Sequence, residues 1–174
     1  MSSQKYSIWL VPAKEFLIPL SKCVDYNSFI SQQPSFTPHM TLFTSEQEIF
    51  ADFDTFVAKL GCESISLKIE SLVKNLDSYY MNYYLKLLKT KELDKLFNKV
   101  KEIDLGSDYQ LNPHISLAYG ANNHDGFLTY NFSKEIVFDE IAIMKYSSVG
   151  STNAVLDFKI LKSYNLQTRK LIKY

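Results

Sequence analysis

The chain has 174 residues, of which 46% are hydrophobic and 14% are aromatic, so it has enough apolar material to fold as one domain or as two small lobes around a cleft. The charges of its 19 basic and 19 acidic side chains cancel. This neutral net charge argues against binding to a long nucleic-acid backbone, because such binding needs a basic stripe. A single nucleotide or an RNA end is compatible with this balance.

No stretch of the sequence is long and apolar enough to span a membrane, and the first residues lack the apolar core of a signal peptide. We therefore expect a cytoplasmic protein without membrane contact. Its two cysteines, Cys23 and Cys62, lack the spacing of a metal site. In the cytoplasm they are expected to be reduced, with one disulfide between them as the alternative.

The first part of the chain predicts two strands separated by a region of mixed signals. The β-branched and aromatic run 6–11 predicts the first strand. In the region that follows, Pro19 is expected to begin or kink a helix, and Asp25 is expected to cap a last short helix. Two prolines then lead into a strand predicted over residues 38–44.

The next prediction is a helix that begins at a capping box. Ser45 is the expected cap, with Glu48 three residues later. Gly61 supplies the stop signal. The apolar residues at helical spacing between them are Ile49, Phe50, Phe53, Phe56, Val57 and Leu60.

Two alternating runs and a second amphipathic helix come next. Strands are predicted over residues 65–70 and 79–88, and the polar face of the second, which carries Tyr80 and Tyr84, is expected to line a groove. Thr90 is expected to cap the helix that follows. The apolar positions of that helix are Leu93, Leu96, Phe97 and Val100.

The last part of the chain predicts three more strands. A loop over 106–112 leads into a strand over 113–119. The turn-rich stretch after it carries His124, which has no partner pattern and is expected in an exposed loop. Further strands are predicted over 136–146 and 154–161. Strands and helices thus interleave twice, which predicts an α+β chain with an internal pseudo-repeat.

Two short stretches are variants of each other. Residues 38–42 and 113–117 both read Pro-His-apolar-hydroxyl-Leu, and they hold two of the three histidines. Alternation along a strand places each His and the hydroxyl residue two positions later on one face, with their backbones about 7 Å apart. Side by side, the two strands would present four side chains to one small anion: His39, Thr41, His114 and Ser116. This arrangement suits hydrolysis of a phosphodiester.

Other kinds of site fit these residues less well. Alcohols are poor zinc ligands, and neither motif includes a carboxylate or a thiol, so no metal is expected. The chain has no Gly-x-Ser-x-Gly nucleophile elbow and no glycine pattern of a P-loop or a dinucleotide site. One such histidine would most simply be structural, but two matching copies favour a catalytic pair.

With these motifs the chain resembles the two-histidine phosphoesterase superfamily, whose members carry two His-apolar-Thr/Ser-apolar tetrapeptides. Here the tetrapeptides are residues 39–42 and 114–117. Within that superfamily the chain is most similar to the cyclic phosphodiesterases of plants and fungi, through its opening run 6–12, the aromatic strand before 89–93, and the stretch 113–120. The similarity covers most of the chain.

The resemblance implies one bilobal domain over residues 1–174, with two pseudo-symmetric lobes, each an antiparallel sheet with outer helices, on either side of a central cleft. It also implies hydrolysis of a 2′,3′-cyclic nucleotide or ADP-ribose 1″,2″-cyclic phosphate to a monoester, without a metal or other cofactor. Members of the group use the residues that match Tyr119 and Trp9 near the substrate, and the polar strand face adds Tyr84. Strict alternation places Tyr119 opposite His114, so only a bulge or the end of the strand at Gly120 would turn it inward.

The expected mechanism uses one imidazole as general base and the other as general acid, since an unperturbed imidazole titrates at about 6.5. The near symmetry of the motifs assigns neither role. Thr41 and Ser116 would donate hydrogen bonds to the non-bridging phosphoryl oxygens, where charge builds up in the transition state.

Two alternatives stay open. The same scaffold also serves enzymes that act on RNA, on 2′,3′-cyclic ends, 2′,5′-oligoadenylate or 3′ ends, but the neutral net charge favours a small nucleotide. The other alternative is a nucleotide-binding module without catalysis, against which the two complete motifs argue. The prediction is a monomeric enzyme whose partner is a small nucleotide cyclic phosphate.

Overall fold

The computed structural model describes residues 4–48, 53–61, 63–104, 106–129, 134–147, 155–156 and 158–172. Within these ranges the chain forms eight strands and three helices. In chain order they are β1 (Gln4–Pro12), α1 (Lys14–Ser31), β2 (Met40–Ser45), α2 (Phe53–Lys59), β3 (Ile65–Lys74), β4 (Tyr83–Leu87), α3 (Lys91–Lys101), β5 (His114–Ala118), β6 (Glu135–Ser147), β7 (Lys159–Asn165) and β8 (Leu171–Ile172).

The strands form one antiparallel sheet in the order β2-β1-β6-β3-β4-β5. The long β6 branches this path, because β1 pairs along one of its edges while β3 and β7 share the other. β8 then pairs with β7. The predicted α+β class, with an antiparallel sheet and outer helices, is confirmed.

β3 joins two halves of the sheet. One half contains β2, β1, β6, β7 and β8, and the other contains β4 and β5. Its residues 65–68 pair with β6, and from Ile69 onward it pairs with β4, with a register shift between Ile69 and Ser71. The two outermost strands of the path, β2 and β5, contact each other. The sheet therefore curls until its two ends meet, and this brings the two motif strands together.

Alternation along β1 separates two apolar clusters. Ile8 and Leu10 belong to the main core, whereas Trp9 and Val11 belong to a smaller cluster on the other face of the strand. The helix α1 packs on both β1 and β5, and α3 packs on β2. The helices thus cover the main core, and Leu17 of α1 also packs against the smaller cluster.

The two long helices compare differently with the prediction. Thr90 caps α3 as expected, accepting a hydrogen bond from the Leu93 amide at 3.2 Å. α1, in contrast, is one helix of 18 residues with Pro19 inside it. The proline removes only the bond to the carbonyl of Glu15, which is exposed to water in the first turn. The predicted cap at Asp25 is therefore wrong, since that residue lies within the helix.

The predicted capping box is also wrong. Ser45 is the last residue of β2, and its hydroxyl accepts from the Gln47 amide at 2.9 Å and donates to the Asp104 carboxylate. These two bonds commit the hydroxyl to the end of the strand. The described helix begins at Phe53, and residues 49–52 lie outside the described residues.

The predicted strands differ from the observed ones mainly at their ends. The run 79–88 yields only β4, because the side-chain amide of Asn82 donates to the carbonyls of Asn75 and Ala121, both at 3.1 Å, and holds 79–82 as a turn. The prediction over 154–161 is shifted, since β7 begins at Lys159. The two-residue β8 is too short to show a pattern in the sequence.

Some predictions are not decided by these ranges. Cys62 lies outside the described residues, so the pairing of the cysteines stays a prediction, while Cys23 is buried in α1. None of the helices in the described ranges has the length and apolarity needed to cross a membrane.

Candidate active site

A cavity of about 270 Å³ lies between the two motif strands, near the lower end of the volumes of small-ligand sites. Its lining brings together all four motif side chains, and among the described residues it includes no lysine, arginine, aspartate or glutamate. The lining residues are Ser7, Trp9, His39, Thr41, Thr44, Tyr80, Met81, Tyr109, His114, Ser116, Tyr119, Tyr146 and Phe158. The wall is therefore aromatic and hydroxyl-bearing, with two imidazoles.

The His39 ring is held from two sides. Its Nδ1 lies 2.7 Å from the Thr37 carbonyl oxygen, and because a carbonyl only accepts, Nδ1 carries the proton. The ring stacks on the Trp9 indole with centroids 3.4 Å apart and planes inclined by 8°. Desolvation lowers the pKa of His39 to about 3, the Thr37 carbonyl opposes this, and the charge of His114 adds to it. At neutral pH this imidazole is uncharged.

The His114 ring is held in an equivalent way. Its Nδ1 lies 2.7 Å from the Asn112 carbonyl oxygen, again two residues before the histidine. Desolvation lowers the pKa of His114, and the Asn112 carbonyl opposes the shift. His114 is half-buried, whereas His39 is buried. In both motifs the backbone carbonyl fixes the Nδ1–H tautomer and leaves Nε2 for a ligand.

The two motif hydroxyls differ in their bonding. Thr41 pairs with Trp9 in the β1–β2 ladder, and its main-chain carbonyl accepts from the Tyr109 hydroxyl at 3.1 Å. Neither of these main-chain contacts involves its side-chain hydroxyl, and Thr41 lines the cavity. The Ser116 hydroxyl instead donates to the Tyr80 carbonyl at 3.0 Å. Its proton is thus engaged before any ligand arrives.

A β-bulge turns Tyr119 into the cavity. Two consecutive residues of β4 pair with Ser116 and Ala118, so Leu117 is an extra residue in β5. The extra residue reverses the alternation beyond it, and Tyr119 lines the cavity on the same side as Ser116. Gly120 follows with φ of 57° and ends the strand. The sequence left a bulge and the strand end at Gly120 as alternative ways to turn Tyr119 inward, and both are present.

Three further phenols complete the wall: Tyr80, Tyr109 and Tyr146. Burial raises the pKa of Tyr109 above its usual range and that of Tyr146 to about 12, so these phenols stay neutral and offer hydrogen bonds without charge. Sequence reasoning singled out Tyr80 through its strand face. It missed Tyr109, Tyr146 and Phe158, which come from a loop, a strand end and the approach to β7, where no repeat or motif marks them.

Two other side chains differ from prediction. Tyr84 does not line the cavity; it is buried and contacts the edge of the His114 ring, with centroids 5.3 Å apart. His124, expected in an exposed loop, is half-buried, and its Nε2 lies 2.9 Å from the Oδ1 of buried Asn82. The reason is that a buried amide needs a partner for each of its polar atoms.

The donors that line the cavity are suited to proton transfer and to hydrogen bonding. In the part of the chain that the structure describes, no three His, Cys, Asp or Glu side chains are grouped as metal ligands. The cavity offers imidazoles, alcohols and phenols, which can exchange protons and donate hydrogen bonds to an anion.

The sequence matches no family model and no curated protein. Solved structures, however, match over nearly the whole chain. LigT of E. coli in complex with NADP+ gives a TM-score of 0.64 at 15% identity, covering 96% of this chain and 99% of that one. The same protein in complex with 3′-AMP gives 0.63 at 13% identity, covering 95% and 98%. TT0787 of Thermus thermophilus gives 0.62 at 14% identity, covering 94% and 98%.

These neighbours are two-histidine phosphoesterases. The chain has the two-histidine phosphoesterase fold. The resemblance that the paired tetrapeptides indicated is therefore confirmed at the level of the fold. In this chain the two tetrapeptides lie at the start of β2 and β5, the strands that close the curled sheet.

Proposed function

We propose that this protein hydrolyses a cyclic phosphodiester, a 2′,3′-cyclic nucleotide or ADP-ribose 1″,2″-cyclic phosphate, to a phosphomonoester without a metal. One observation carries the proposal: two imidazoles, each with Nδ1 bonded to a backbone carbonyl, line one cavity together with the hydroxyls of Thr41 and Ser116. A strained cyclic diester with a single charge matches this small, uncharged wall.

The reaction adds water to phosphorus and breaks one ring P–O bond. One Nε2 takes the proton of the attacking water, and the other, protonated, gives its proton to the leaving ring oxygen. Each proton transfer contributes roughly 10²- to 10⁴-fold to the rate. The bound phosphate raises the pKa of both imidazoles, because an opposite charge favours the protonated form. This offsets the desolvation that favours the neutral form of both rings.

The hydroxyl of Thr41 is the donor available to a non-bridging phosphoryl oxygen, where negative charge grows in the transition state. Phenols on the remaining wall supply further uncharged donors. Trp9 supports the His39 ring by stacking, and we assign Tyr119 a place beside the substrate because the bulge in β5 turns it into the cavity.

The solved neighbours add one line of support. LigT was solved with 3′-AMP, with NADP+ and with ATP, so a nucleotide is a reasonable ligand for a cavity of the same fold. An RNA substrate on the same scaffold is the second candidate.

The test is an assay of the purified protein on 2′,3′-cyclic AMP with analysis of the phosphate product. We expect turnover that EDTA does not reduce, and loss of nearly all turnover in His39→Ala and in His114→Ala while circular dichroism shows an unchanged fold. Assays with a cyclic-ended oligonucleotide and with 2′,5′-oligoadenylate distinguish an RNA substrate from a small cyclic nucleotide. Binding of 2′,3′-cyclic AMP without any turnover would establish a binding module instead.

A further inference from the structure

The charges around the cavity discriminate among its possible substrates. The described lining has no lysine or arginine side chain. In the sequence, the residues outside the described ranges include one basic side chain, that of Lys173. Proteins that bind several phosphates supply Lys or Arg to them. Apart from the imidazole that serves as general acid, this wall offers only hydrogen bonds, which suits one phosphate charge rather than several.

A groove of about 620 Å³ adjoins the cavity and shares Thr44 and Tyr109 with it. Its lining includes three carboxylates and one ammonium: Glu46, Asp104, Asp108 and Lys5. The groove therefore carries a formal charge of two negative units, and any part of a ligand that leaves the cavity on this side meets it.

The single cation of the described groove is already paired. Lys5 Nζ lies 3.3 Å from Glu46 Oε1. The Asp104 carboxylate accepts from the Ser45 hydroxyl and, at 3.0 Å, from the Gly106 amide, which holds its charge in place on the groove wall. Asp108 is exposed at the groove. A second phosphate here would meet carboxylates within a Debye length of about 10 Å at 0.1 M salt.

From these charges we propose that the substrate is a mononucleoside 2′,3′-cyclic phosphate, which carries one negative charge, and that the site rejects cyclic esters with further phosphates. ADP-ribose 1″,2″-cyclic phosphate, which adds a pyrophosphate, and cyclic-ended oligonucleotides belong to the rejected class. This inference rests on the proposed function and narrows its substrate class. A polar nucleoside fits a wall of hydroxyls and aromatic rings, whereas a polyanion does not.

A matched pair of substrates tests the charge directly. Adenosine 2′,3′-cyclic phosphate and adenosine 5′-phosphate 2′,3′-cyclic phosphate share the reacting ring, the ribose and the base, and differ by one phosphate. At low ionic strength we expect kcat/KM to be at least about tenfold higher for the first, with the ratio shrinking as salt screens the groove. ADP-ribose 1″,2″-cyclic phosphate should behave like the 5′-phosphorylated compound.

Two charge-reversal variants locate the effect. Asp108→Lys places a cation in the groove at an exposed position, so it should narrow the ratio of kcat/KM between the two adenosine substrates several-fold. Glu63→Lys makes the same charge change at an exposed residue that lines neither the cavity nor the groove, and it should leave both the ratio and the rate on adenosine 2′,3′-cyclic phosphate unchanged.

The outcomes distinguish failure of the charge selection from failure of the proposed phosphodiesterase activity. Equal or faster turnover of the substrates with extra phosphates overturns the charge inference and leaves the phosphodiesterase intact. A ratio that Asp108→Lys does not move also overturns it. Failure of every cyclic ester to turn over overturns the proposed function itself, and the inference with it.

Discussion

The indole of Trp9 and the imidazole of His39 lie parallel at the centre of the site, and their contact has a thermodynamic consequence. His39 is 7% exposed, and its pKa is lowered to about 3, mainly by desolvation. In the unfolded chain the same group titrates near 6.5. Between these two pH values the unfolded chain binds a proton that the folded protein does not, so the contribution of His39 to stability is complete above pH 6.5 and is lost as the pH falls toward 3.

This sign leads to a prediction for acid stability. From pH 7 to pH 5, His39 alone should lower the free energy of unfolding by about 2 kcal/mol, because each pH unit below the unfolded pKa costs about 1.4 kcal/mol. His39→Asn keeps a side-chain N–H donor for the Thr37 carbonyl and does not titrate. Urea unfolding at both pH values should show that the variant lacks this loss.

His114 is present in both proteins, so its own titration cancels when the two are compared. Identical pH dependence of unfolding in the wild type and in His39→Asn would contradict the burial of a neutral imidazole against Trp9.

The hydroxyls of the two motifs are chemically alike but differently bonded, and this predicts unequal roles. Thr41→Val keeps the branched shape and removes the donor, so it should lower kcat/KM on the order of 10²- to 10³-fold, the cost of one oxyanion donor. Ser116→Ala removes the bond to the Tyr80 carbonyl. It should lower stability by about 1 kcal/mol and affect turnover less, through the position of Tyr80.

Steady-state kinetics and thermal unfolding of both variants check this pair. Ser116→Thr, which restores a hydroxyl, should recover the stability that Ser116→Ala loses. Equal losses of kcat/KM in Thr41→Val and Ser116→Ala, with stability unchanged in both, would show that both hydroxyls serve the phosphoryl group.

The end of β5 depends on a glycine. Gly120 has φ of 57°, and a Cβ added to it would lie 2.2 Å from Cε2 of Tyr79. Its amide donates to the Tyr79 carbonyl at 2.9 Å. The bulge, the glycine and the ring of Tyr79 together set where Tyr119 and Tyr80 enter the cavity.

Gly120→Ala should therefore impair both stability and turnover. Gly126 is the matched control, because it has φ of 71° and nothing within 4 Å of an added Cβ. Gly126→Ala should lose about 1 kcal/mol from the left-handed backbone alone, with normal kinetics. Gly120→Ala should lose more and should raise KM as Tyr79 moves. Equal effects of the two substitutions on stability and KM would refute the role of the contact with Tyr79.

Some helices and strands could be predicted from the sequence and others could not. The motif strands and α3 could be predicted because two repeated pentapeptides and a capped apolar stripe mark them. The unity of α1 could not, because local propensity at Pro19 is overridden by packing of the helix on β1 and β5. Likewise, the β-like run at residue 79 is turned by Asn82 through bonds to residues distant in sequence.

The site exists only because the sheet closes. The histidines were predictable from their repeat. For Tyr119, the sequence predicted only that a bulge or the end of the strand would be needed to turn it inward. Tyr109, Tyr146 and Phe158 were not, because they come from three separate segments that only the curled sheet assembles. A pattern in sequence reports the face on which a side chain lies, and it does not report which distant faces meet.

Closure of the sheet also predicts how the protein unfolds. β3 forms hydrogen bonds in both halves, α1 packs on a strand of each half, and β2 contacts β5. Neither half can unfold without breaking bonds of the other, so we expect a single cooperative transition, in keeping with one domain. Trp9, the only tryptophan, reports on the half that contains β1 and β2.

A second probe tests the other half. In a Trp9→Phe background, Leu88→Trp places an indole at a residue that is 42% exposed just after β4, where it should disturb packing little. For each protein, urea unfolding followed by fluorescence should coincide with unfolding followed by far-UV circular dichroism, with one midpoint and one slope. Two separate midpoints in either protein would mean that the halves unfold independently, and that β3 is a hinge between two domains rather than a strand shared by one.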